Sequence, residues 1–188
     1  MIHQQQATLA LLSFLTEIGY EWSILGGYAR DLHHGVTPKD LDIVLYNIKG
    51  HELPNKEDGI FGSCPLQKLY DYLESTGMYG DEIALEAGGS EGMDGDEEAL
   101  NRLHGVFKLK GNIDLIMYNE EFYSKYDVMD SFDYNINQYE LVIDENGNGT
   151  STYYGEREGL LLPVRSRLTT ERAAYMHIKG CELGWISS

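Results

Sequence analysis

Positive charge is scarce in this chain. Fourteen Lys and Arg face thirty-one Asp and Glu among 188 residues, a formal charge of −17. A protein that grips long nucleic acid by its backbone is normally basic, because neutralising phosphates supplies most of that affinity. A broad, non-specific nucleic-acid grip is therefore not expected. Cysteine is just as thin: Cys64 and Cys181 are the only two, too few for a disulfide framework or a zinc site. Two thiols fit a reducing compartment, with the cytoplasm as the expected location. Long apolar runs are missing as well. The longest apolar window, Ala7 to Ile18, is interrupted by Ser13, Thr16 and Glu17 and falls short of the ~20 residues of a membrane span. It has neither the basic leader nor the small-residue cleavage site of a signal peptide. No membrane partner is expected.

The charge that is present is uneven. From Arg157 to Ser188 there are five basic and three acidic residues, whereas the first 156 residues carry nine and twenty-eight. An anionic substrate would meet the C-terminal segment, or a pocket neutralised by metal ions. Residues 77–98 are glycine-rich and hold eight acidic residues with no Lys or Arg, which reads as a solvated, mobile insertion.

Periodicity predicts the elements. Leu9, Leu12 and Ile18 mark a helix over 5–18 that stops at Gly19. A strand from Trp22 to Leu25 runs into Gly26 and Gly27, and a helical turn from Tyr28 to His34 follows. Leu41 to Tyr46 reads as a strand, 50–62 as a loop and Leu66 to Glu74 as a helix. Strands near Val106–Lys110 and Ile113–Tyr118 are joined by a turn at Gly111 and Asn112. Glu120 to Tyr126 reads as a short helix, Tyr139 to Ile143 as a strand closed by the turn Asp144 to Gly149, and Thr169 to Lys179 as a last helix. The fold class is α+β: a mixed sheet with helices at both ends.

The chemistry concentrates in two stretches, Ile24 to Asp31 and Lys39 to Leu45. Residues two apart in a strand share a face, so Asp40 and Asp42 point one way while Leu41, Ile43 and Leu45 point into a core. Two carboxylates side by side repel unless a cation sits between them. Such hard oxygens suit Mg²⁺ or Mn²⁺, and Mg²⁺ keeps several waters and takes phosphate oxygens as further ligands. Alternatively Asp40 is a cap and Asp42 is merely exposed. Gly26 and Gly27, between a strand and a helix, would let backbone N–H groups approach an anion. Phosphoryl transfer with two ions wants a third carboxylate. Asp114, between Ile113 and Leu115 in an apolar strand, is the candidate; its other reading is a buried Asp satisfied by backbone or Arg. His33 and His34 read as cations at a helix C-terminus.

Together these residues resemble the polymerase-beta-like nucleotidyltransferases, and within them the head of class II tRNA CCA-adding enzymes and bacterial poly(A) polymerases. That head carries a Gly-Gly-x-x-Arg-Asp segment, here Gly26, Gly27, Arg30 and Asp31, then an Asp-x-Asp strand, here Asp40 and Asp42. A later motif of the form Arg-Arg-Asp-Phe-Thr-Ile-Asn is similar to Ser131 through Asn137, matching at Asp133, Tyr134, Ile136 and Asn137. The resemblance covers roughly residues 20–180. It implies a catalytic head over 1–156, with 77–98 as its acidic insertion, and a neck-like helical segment over 157–188. It also implies that Gly26, Gly27 and Arg30 contact a triphosphate, that Asp40, Asp42 and Asp114 bind the metals, and that Asp133, Tyr134 and Asn137 hold the nucleotide. The family's arginine pair is replaced by Ser131 and Phe132; Arg157, Arg165, Arg167 and Arg172 are the candidates to compensate. The implied activity is template-independent transfer of a nucleoside monophosphate from an NTP such as ATP to a hydroxyl, favouring a short structured RNA 3′ end. A protein or small-molecule acceptor is the variant. A non-catalytic or toxin–antitoxin-type protein of the same fold is the alternative of another class, and the −17 charge would suit a mimic of nucleic acid.

Overall fold

A computed structural model of the chain describes residues 2–48, 65–79, 102–119, 121–144, 147–166 and 168–186. The predicted loop over 50–62 and nearly all of the acidic tract over 77–98 lie outside the described residues, as do Cys64 and Arg167.

The described residues form an α+β fold around a mixed six-stranded sheet in the order β3-β4-β2-β1-β5-β6. In chain order the elements are α1 (Ile2–Glu17), β1 (Glu21–Leu25), α2 (Gly27–His33), β2 (Leu41–Tyr46), α3 (Pro65–Thr76), β3 (Leu103–Leu109) and β4 (Ile113–Tyr118). They continue with α4 (Lys125–Asp130), a 3₁₀ turn (Asn135–Asn137), β5 (Tyr139–Ile143), β6 (Gly149–Tyr153) and α5 (Thr170–Glu182). Among the described strands only the β2–β4 pairing is parallel; the other neighbours are antiparallel.

The alternation of the strands decides what each face becomes. Ile43 and Leu45 of β2, Ile113, Leu115 and Met117 of β4, and Phe107 and Leu109 of β3 point to one side. There they pack with Leu11 and Leu15 of α1 and Leu66, Leu69 and Leu73 of α3. Each fully buried leucine of that layer contributes ~1.5–3 kcal/mol. Met176 of α5 and Trp185 beyond it belong to the same cluster. The opposite face carries a smaller core, Val44, Tyr46 and Tyr118 of the sheet with Phe122 and with Val128 and Met129 of α4. This second core covers one end of the face and leaves the other end open.

Two expectations shift. The short helix predicted over Glu120 to Tyr126 starts instead at Lys125. Ser124 caps it: the Asp127 N–H donates to Ser124 Oγ (3.4 Å) and the Ser124 N–H donates to Asp127 Oδ2 (2.8 Å), a reciprocal capping box. Residues 121–123 are held as a turn by Asn119, whose Oδ1 accepts from the Glu121 N–H. The second shift adds a strand. Gly149–Tyr153 has no apolar alternation, yet it pairs along the whole of β5 and supplies an edge of the sheet.

Candidate functional site

The open end of the second face is a cleft of about 560 Å³ between the sheet, α2, residues 131–133 and α5. Gly26, Gly27, Arg30, Asp40, Asp42, Asp114, Asp133 and Asn137 all line it. Tyr134 does not. Its ring packs against the main core, and its backbone N–H donates to Asp133 Oδ1 (2.9 Å), so it acts on the cleft through its main chain.

The sheet register sets the acidic wall. β2 and β4 run parallel with Asp42 opposite Asp114, and Asp40 stands exposed just before β2. Asp42 is half-buried, and its carboxyl is pushed up to about 7, first by burial and then by the charges of Asp114 and Asp40; Lys108 and Arg30 pull the other way. Burial and acidic neighbours both disfavour the charged form of such an aspartate. Among the described residues Asp114 is paired with a lysine. Its partner is Lys108, whose Nζ contacts Asp114 Oδ2.

That lysine is reached through the hairpin. A turn of Gly111 and Asn112 alone would have set Leu109 opposite Asp114. The loop instead has three residues, Lys110 to Asn112, closed by the Leu109–Ile113 pair. Gly111 (φ 84°) and Asn112 (φ 55°) take the left-handed conformations that such loops use. The one-residue difference brings Lys108 opposite Asp114.

Gly26 has a definite task. Its φ of 86° and ψ of −137° are hostile to any residue with a side chain. A Cβ there would lie 3.9 Å from both Asp42 Oδ2 and Phe132 Cζ. Its N–H already donates to the Tyr139 carbonyl (3.0 Å), so Gly26 offers the cleft close access to Asp42 rather than a free amide. Gly27 opens α2, where the amide has no intrahelical acceptor.

The opposite wall is a network of matched charges. Arg30 is buried. Its Nε and Nη2 reach Asp31 Oδ1 at 2.8 and 2.7 Å, and its Nη1 donates to Asn137 Oδ1 at 2.6 Å. Asn137 Nδ2 donates to Asp133 Oδ1 (2.9 Å), and Arg172 Nε pairs with Asp133 Oδ2. Lys179 Nζ lies 3.8 Å from Asp31 Oδ2. Arg172 caps nothing but is delivered by α5, whose start is fixed by Thr169 Oγ1 accepting the Arg172 N–H (3.2 Å).

Of the arginines expected to replace the missing pair, Arg165 and Arg172 line the cleft and Arg157 does not. Another arginine arrives unannounced: Arg102, at the start of β3, donates from Nη1 to the Ser131 carbonyl and lines the cleft beside Phe132. His34 is not the expected helix-end cation. Burial lowers its pKa, and the donor-only Trp185 Nε1 points at its Nε2 (3.2 Å).

No family model and no curated protein matches the chain. Among solved structures, it is similar to a CCA-adding enzyme in its apo form. The identity is 17%, the TM-score is 0.47, and the match covers 82% of this chain. The chain spans 32% of that enzyme's length. A likeness of this size says nothing about chemistry, which has to be read from the side chains.

The residues do fit a hard divalent ion of the kind that phosphates complete. Among the described residues no group of three His, Cys, Asp or Glu closes a metal cage. Mg²⁺ does not need one, since one or two carboxylates plus phosphate oxygens and water suffice. Asp42 and Asp114, register partners on neighbouring strands, could serve as such a donor set.

Proposed function

We propose that this chain is a template-independent nucleotidyltransferase that moves a nucleoside monophosphate from an NTP to a hydroxyl, with a short structured RNA 3′ end as the favoured acceptor. The observation that carries the reading is the acid row, Asp42 beside Asp114 with Asp40 at the rim, facing a cleft whose other wall is rich in arginine and lysine. Mg²⁺ or Mn²⁺ bound by Asp40, Asp42 and Asp114 would supply the positive charge that a triphosphate needs there. The rest belongs to the chain. Gly26 keeps the approach to Asp42 open. Arg30, Asn137 and Asp133 form a stiff floor for the nucleotide, with Tyr134 fixing Asp133 through its amide. Arg165, Arg172 and Arg102 offset the charge of the phosphates. The attacking hydroxyl forms a bond to the α-phosphorus as the bond to the β-phosphate breaks, and diphosphate and the hydroxyl proton leave. Such chemistry asks for positioning and charge neutralisation more than covalent help. The overall acidity restricts the acceptor to a compact end rather than a long backbone.

One observation favours a second reading. Lys108 already sits on Asp114, as a permanent replacement for a metal would in a non-catalytic relative. Purified protein incubated with each labelled NTP, Mg²⁺ and total cell extract separates the two. Label in RNA is the expected result. Label in protein or a small molecule changes the acceptor, and no label with any NTP rejects the enzyme.

A further inference from the structure

We propose that Lys108 is a displaceable internal counter-ion: it holds Asp114 while the divalent ion is away and sets how tightly that ion binds. The inference rests on the reading of the acid row as a cation site. Three strands place Asp42, Asp114 and Lys108 side by side in one row, since Asp42 is the register partner of Asp114 and Asp114 that of Lys108. The Nζ is on Asp114 Oδ2, one of the oxygens an ion would use.

The pair is asymmetric in a way that suits release. The Lys108 side chain is 44% exposed and that of Asp114 18%. Lysine is a flexible stem with a well-hydrated head, and half-exposed pairs of this kind hold weakly. Three other cations of the cleft are tied elsewhere: Arg30 to Asp31 and Asn137, Arg172 to Asp133, Lys179 to Asp31 and Glu182. Lys108, seated on Asp114, is the cation that an ion arriving at that carboxylate has to displace. In the metal-free protein it spares Asp114 an unpaired charge next to Asp42, and it makes ion binding a competition rather than a simple attraction.

The test is binding of Mn²⁺ alone, followed by electron paramagnetic resonance of the free ion. Compared are the wild type, Lys108→Met, Lys108→Arg, Asp114→Asn and the Lys108→Met/Asp114→Asn double variant, each checked by its melting curve. The expected result is about tenfold tighter Mn²⁺ binding by Lys108→Met, no gain for Lys108→Arg, and no gain from Lys108→Met once Asp114 is Asn. The last comparison isolates the coupling between the two side chains. Equal or weaker binding by Lys108→Met, with the wild type binding normally, overturns the counter-ion role and leaves the cation site standing. Binding that appears only in Lys108→Met overturns displaceability, because Lys108 is then a fixed plug. No binding by any variant overturns the cation site itself.

Discussion

Two charged walls face each other across one cleft, and they are built on opposite rules. On the α2 and α5 side, Asp31 and Asp133 share Arg30, Arg172 and Lys179, and Asn137 bridges them. On the β2 and β4 side, Asp40, Asp42 and Asp114 have Lys108 among them, and Asp42 is pushed up to about 7. Charges in the first wall are structure. In the second, Asp42 is held above its ordinary range first by burial and then by its acidic neighbours, which would suit the proposed cation site. Substitutions on the two walls should therefore have opposite signs: function lost and stability kept on one, stability lost on the other.

The largest effect is expected from Asp42→Asn. The amide keeps the shape and removes a charge that phosphate chemistry needs, worth several kcal/mol of transition-state stabilisation or roughly a thousandfold in rate. Incorporation of labelled NTP should fall by at least that much while the metal-free melting temperature holds or rises. Normal turnover would remove Asp42 from the chemistry.

Arg30→Ala should do the reverse. It leaves Asp31 and the Asn137 carbonyl oxygen without their shortest partners in a buried site, and breaking a buried pair in this way costs about 3–5 kcal/mol. Denaturant unfolding reads it directly. A loss below ~1 kcal/mol would mean that the two walls are not different in kind.

This division of labour was only half legible in the sequence. The acid row was legible because strand alternation is a strict period of two: Asp40, Asp42 and Asp114 stood out as charges among Leu41, Ile43, Ile113 and Leu115. The sheet and most helices followed from the same periodicity. Lys108 was hidden by one residue of loop length, since a turn with two residues and one with three set different residues opposite Asp114. Arg102 was hidden because its partner is a carbonyl, that of Ser131, which no side-chain pattern announces. The commitment of Arg30 to Asn137, far along the chain, is a tertiary fact that a motif of glycines and arginine does not encode. β6 was missed because an edge strand facing solvent has no apolar stripe to show.

Acidity offers a way to sharpen the comparison without touching the arginine wall. Asp42 ordinarily titrates at 3.8, but in the fold it does so at about 7. The folded state therefore holds the proton over that interval while the unfolded chain has lost it. Stability must fall as pH climbs from about 4 through 7 and level off above. In the metal-free protein, Asp42→Asn should be more stable than the wild type by roughly 2–4 kcal/mol at pH 8, and the gap should close near pH 4. His34 runs the other way. Its pKa in the fold is lowered from 6.5, so it costs stability as pH drops below that value in both proteins, and the difference between them is the quantity to follow. A pH-independent gap would separate Asp42 from the charge cluster.

Ligand binding should depend on metal held at the acid wall. NTP binding to the native state gives ~2.7 kcal/mol at a hundredfold excess over the dissociation constant. The rise in melting temperature is expected with Mg²⁺ or Mn²⁺ and not with a chelator, because Asp42 and Asp114 repel bare triphosphate. Equal stabilisation without metal would move the nucleotide to the arginine wall.

The smallest effect is expected from Lys179→Met. Lys179 lies 3.8 Å from Asp31, while Arg30 reaches the same carboxylate at 2.7 Å from Nη2 and 2.8 Å from Nε. Removing the lysine leaves Asp31 paired, so no buried charge is stranded. The methionine keeps most of the apolar stem. What is lost is a long Coulomb contact and the 3.4 Å pair with exposed Glu182, which together amount to less than about 1 kcal/mol. The contrast with Arg30→Ala is the point of the measurement: both remove one cation from Asp31, and a severalfold difference in unfolding free energy between them would locate the strength of this wall in its short, buried contacts rather than in its count of charges. Equal losses would mean that α5 is held to α2 by net charge, and the matched wall would then be as sensitive to salt as an exposed surface pair.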